Sequence, residues 1–60
     1  MNDIAMRARE RMIQETLADI KQTNIEYGMD VMTPTRETAI RIVDNASKKA
    51  DFSWHRYVNQ

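Results

Sequence analysis

The sequence predicts an all-α fold, an antiparallel two-helix hairpin whose copies dimerise into a four-helix bundle. Three observations carry that expectation. Gly28, the only glycine, falls where an upstream helix needs a left-handed residue just past its end. Pro34, the only proline, follows Thr33, and a threonine N-cap with proline at the first helical position is a common helix start. On both sides of that break the apolar residues recur with helical period.

The first helix is expected over about 3–27. Asn2 or Asp3 caps it, and Asp3 suits the positive end of the helix dipole. Its apolar stripe gathers Ala5, Met6, Met12, Ile13, Leu17, Ile20 and Tyr27, with Met6, Ile13, Ile20 and Tyr27 repeating every seven residues along the centre. Arg9 and Thr16 interrupt the stripe. Arg9 is expected to lay its stem over the seam and keep its head wet. Ile4, Ala18 and Ile25 fall outside the stripe, and Ile25 is expected to pack under the connection with Met29 or Val31.

The connection, about 28–33, is short enough to make the helices antiparallel neighbours. Helix two is expected over about 34–58, with Ala39, Ile42, Val43, Ala46, Ala50, Trp54 and Tyr57 in its stripe. Ala39, Ala46 and Ala50 would let the helices approach closely, and Trp54 would pack beside Met6 at the far end. Asp51-Phe52-Ser53 is the place where this helix is most easily broken. Continuity is expected because Trp54, Tyr57 and Val58 keep their phase only in an unbroken helix. The seam is therefore read as Met6, Ile13, Leu17, Ile20, Val43, Ala46, Ala50 and Trp54.

A single domain over 1–60 follows from the length. A chain of this size buries only about 60% of the surface its unfolded form exposes. With no cysteine there is no disulfide to compensate, and association is the remaining common remedy. Both apolar stripes are wider than one partner helix covers, so a homodimer is expected. The chain is neutral overall, with nine Lys+Arg against nine Asp+Glu, which excludes binding nucleic acid by bulk charge. Residues 1–30 hold four basic and six acidic side chains and residues 31–60 hold five and three, so the halves carry −2 and +2. No apolar run has the length of a membrane span, and the start lacks a signal-peptide core, so a cytoplasmic protein is expected.

Catalytic parts are missing: no glycine-rich phosphate loop, no His-Glu pair at helical metal spacing and no cysteine nucleophile. His55, the only histidine, with Asp51 one turn before it makes no closed metal site. Neither an enzyme nor a cofactor or metal is expected. The back of helix two is more informative, since Arg41, Lys48, His55 and Arg56 form a basic strip with Phe52 among them. Aromatics beside arginines are typical of binding hot spots, so Arg41, Lys48, Phe52, His55 and Arg56 are the expected partner-binding residues. The leading function is a small helical protein-protein interaction module, a regulator or inhibitor docking on a larger partner, such as a phage-type host modulator or an antitoxin-like protein. One alternative is a DNA-binding dimer that presents basic helix two, with Thr35 and Arg36 meeting phosphate or base edges. Another is a purely structural oligomerisation bundle.

Overall fold

The computed structural model describes residues 3–49. Two helices pack against each other, α1 (Asp3–Tyr27) and α2 (Arg36–Lys49). At 1.5 Å per residue they are roughly 37 and 21 Å long. Asp3 in the first turn of α1 and Glu37 in the first turn of α2 face positive dipole ends, and Lys48 and Lys49 face the negative end of α2.

Gly28 stops α1 as its position predicts. Its φ is +67°, its N–H donates to the Ile25 carbonyl at 3.2 Å, and the Met29 N–H donates to the Asn24 carbonyl at 3.1 Å. These two bonds make a Schellman cap, which satisfies carbonyls that the end of the helix leaves open. The restart differs from expectation. Pro34, whose ring fixes φ, sits at the centre of a tight turn in which the Thr35 N–H reaches the Thr33 carbonyl at 2.9 Å. Thr35 then caps α2 in place of Thr33. Its carbonyl accepts the Ala39 N–H at 3.2 Å and its Oγ1 accepts the Thr38 N–H at 3.4 Å.

Ile13, Ile20, Ala39 and Val43 are the buried core, and Leu17, Ile40 and Ile42 pack at its margin. Ile13 and Ala39 are completely buried, so a small residue on α2 receives a large one on α1. Met6 and Tyr27, on the same stripe, are exposed, because the described α2 is shorter than α1 and covers only its middle. Ala46 is exposed as well, contrary to its expected place in the seam. The buried row of α2 is Ala39, Val43 and Ser47, four residues apart. Ser47 enters that row because its Oγ donates to the Val43 carbonyl at 3.0 Å, which removes most of the cost of burying a hydroxyl. Ala50 and Trp54 lie outside the described residues.

Two ion pairs tie the helices together. Arg9 donates from Nε and Nη2 to the Asp44 carboxylate at 3.0–3.2 Å, and Arg36 grips Glu10 through two bonds of 2.5 and 2.6 Å. Adjacent residues on α1 thus hold residues two turns apart on α2, roughly 12 Å along its axis. The head of Arg9, expected to stay wet, is part-buried in the pair with Asp44.

Candidate interaction surface

The connection is built around a polar side chain that the apolar pattern passes over. Asn24 sits one turn before Gly28 and is buried, on the α1 face that meets the returning chain. Its Oδ1 accepts the Val31 and Met32 N–H groups at 2.9 and 3.3 Å, and its Nδ2 donates to the Met32 carbonyl at 2.8 Å. One amide therefore satisfies three backbone groups of a segment with no secondary structure, using both its donor and its acceptor. The Val31 N–H lies also 2.9 Å from the Met29 carbonyl, closing a tight turn around Asp30.

This polar clamp lets the connection fold without burying its apolar side chains. Ile25, Tyr27, Met29, Val31 and Met32 are all exposed, Tyr27 and Met29 by 70% and 64%. Ile25, expected beneath the connection, points to solvent, and Asn24 takes the place it was given. Beside Met32 a cleft of about 210 Å³ opens between α1, the connection and α2, with Thr16, Asp19, Ile20, Thr23, Asn24 and Ile42 in its walls. Its walls are mainly apolar, with Asp19 and Asn24 at one side.

Electrostatics concentrate at the other end of the contact between the helices. The Arg36 guanidinium, hydrogen-bonded to Glu10, holds that carboxyl well below the usual range, at about 2, with the Gln14 amide adding a second hydrogen bond. Glu10 in turn raises the affinity of Arg36 for its proton. Both side chains remain partly exposed, so this pair positions α2 more than it stabilises the fold.

Of the partner-binding residues expected from sequence, Arg41 and Lys48 are exposed on α2. Phe52, His55 and Arg56 lie outside the described residues. Among the described residues no group of three or more His, Cys, Asp or Glu side chains is placed to hold a metal, and no helix is long and apolar enough to cross a membrane. Sequence reasoning missed Asn24 as the organiser of the connection. Its signal was position, an asparagine one turn ahead of a lone glycine and followed by a stretch of unpaired backbone. Comparison with known proteins gave no match to a family model, to a curated protein or to a solved structure.

Proposed function

We propose that this chain is a small protein-protein interaction module, a regulator or inhibitor that acts as a homodimer by docking on a larger partner. The observation that supports this reading is the distribution of apolar surface. Among the described residues four hydrophobic side chains are buried, whereas eight large ones are exposed. Four of those eight, Tyr27, Met29, Val31 and Met32, cluster at one short connection. Apolar side chains gathered in the open on so short a segment are a mark of sites where another protein binds. Met29 and Met32 are flexible and polarizable enough to adapt to a partner's shape, and the cleft beside Met32 offers a recess for an apolar side chain. Arg41 and Lys48 supply a cationic flank on α2.

The DNA-binding alternative loses support at Arg36. That residue was to meet phosphate, and in the fold its guanidinium is held by Glu10 in a two-point pair.

The test is affinity capture from a lysate of the source cells, comparing the natural chain with a Tyr27→Ser, Met29→Ser variant. Both side chains are exposed, so the variant keeps the helical circular dichroism of the parent. The natural chain is expected to retain a protein that the variant releases. Equal retention by both, or retention of nothing, would contradict the reading.

A further inference from the structure

Among the described residues the two most exposed large hydrophobic side chains are Ile4, at 85%, and Ile25, at 73%. Neither belongs to the face that meets α2, and neither takes part in the connection's own hydrogen bonding through its side chain. They lie at opposite ends of α1 but on one side of it, because Ile4, Arg11, Ala18 and Ile25 recur every seven residues, about two helical turns. This row runs along the back of α1, opposite Ile13 and Ile20. The row is apolar at both ends, with the long stem of Arg11 and the small Ala18 between them, so each copy offers another helix two isoleucines and a methylene stem.

The charges along the same helix say which helix. Among residues 3–14 the charged side chains not tied to α2 are Asp3, Arg7 and Arg11, all exposed, with a net charge of +1. Residues 15–27 carry Glu15, Asp19 and Glu26 against a single cation, Lys21. A second α1 running antiparallel would set the arginines of each copy beside the carboxylates of the other. Its dipole would also be opposed to the first, a favourable arrangement. A parallel copy would instead stack Arg7 and Arg11 against themselves.

From these observations we infer that the back of α1 is a self-docking surface, on which a second copy of the chain packs antiparallel about a two-fold axis. Ile4 of each copy then meets Ile25 of the other, and the stem of Arg11 lies over Ala18, whose small side chain leaves room for it. The apolar contact is made twice, once at each end, as an isologous interface requires. This assigns a surface to the homodimer of the proposed function and rests on that reading, but it uses none of the residues that dock the larger partner.

Two substitutions test it without endangering the fold. Ile4→Asp puts a carboxylate in the first turn of α1, and Ile25→Lys puts a cation in a last turn that has no basic residue. Both suit the helix dipole. The masses of the natural chain, each variant and their equimolar mixture are measured by light scattering on the order of 100 µM, well above a micromolar dissociation constant. The natural chain is expected at twice 7.1 kDa and each variant alone at 7.1 kDa. The mixture is expected to return to twice 7.1 kDa, because only antiparallel pairing brings the introduced carboxylate of one variant to the introduced ammonium of the other while leaving an intact isoleucine pair at the second contact. A natural chain that stays monomeric would overturn both this surface and the homodimer. Variants that remain dimeric alone, or a mixture that stays monomeric beside a dimeric natural chain, would overturn this surface and leave the homodimer standing. The capture experiment with Tyr27 and Met29 is independent of every one of these outcomes.

Discussion

The two faces of α1 carry rows of the same seven-residue period and meet different fates. On the inner face Ile13 and Ile20 are sealed against Ala39 and Val43, while on the outer face Ile4 and Ile25 stand in solvent. The residue type is identical, so hydrophobicity alone does not decide burial. What differs is whether α2 lies opposite. α2 spans 14 described residues against the 25 of α1, and even the inner row is exposed where α2 does not reach, at Met6 and Tyr27.

The comparison breaks most severely at its buried end. Ile13→Asp places a carboxylate at a fully buried site with no cation assigned to it, and the expected result is loss of the cooperative thermal transition followed by circular dichroism. A retained transition would mean that the inner row is not the core. Next comes the polar clamp. Asn24→Ala leaves the Met32 amide without its acceptor and the Val31 amide with the Met29 carbonyl alone, and should cost about 1–3 kcal/mol in urea unfolding. Asn24→Asp keeps the acceptor but loses the donor to the Met32 carbonyl, and is expected to fall between the two.

Gly28→Ala meets no neighbouring atom, so the whole effect comes from φ of +67° and should be about 1 kcal/mol. The clamp at the far side of the seam responds to acid. Because folding lowers the Glu10 pKa from 4.5 to about 2, its contribution is fully present above pH 4.5 and is lost as the pH falls towards 2. Glu10→Gln should flatten the melting temperature over that window relative to the parent, and parallel curves would mean the pair contributes nothing to folding. The smallest effect is expected from Ala46→Leu, within about 0.5 kcal/mol of the parent, since Ala46 is exposed and has room. A loss of 1–3 kcal/mol, typical of an overpacked seam, would place Ala46 back between the helices.

Much of this fold can be read from the letters. Gly28 ends α1 because only glycine takes its φ without strain, and Ile13, Ile20 and Val43 reach the core because apolar period predicts burial wherever a partner helix covers them. Two of the failures share one cause, which is that burial follows satisfied hydrogen bonds as well as apolarity. Asn24 and Ser47 are polar yet buried, each with its bonds made, and each displaced an apolar neighbour, Ile25 and Ala46, to the surface. Admitting Ser47 rotates the buried face of α2 away from the row of alanines. Thr35 replaced Thr33 as the cap for a comparable reason, since Pro34 was already committed to the preceding turn.

The exposed apolar surfaces were less legible. Exposure is a property of what a helix lacks opposite it, and no single residue announces it. The row through Ile4 and Ile25 looks from composition like scattered apolar residues on a wet face.

The claim on which the rest depends is that α1 turns its inner row to α2 and so keeps its outer row free. A double-mutant cycle between Ile13→Ala and Val43→Ala, measured by urea unfolding, tests that contact directly. The expected coupling is about 0.5–3 kcal/mol, as for side chains that share a packed core. Strictly additive losses would show that the two residues do not touch, and the inner and outer faces of α1 would have to be reassigned.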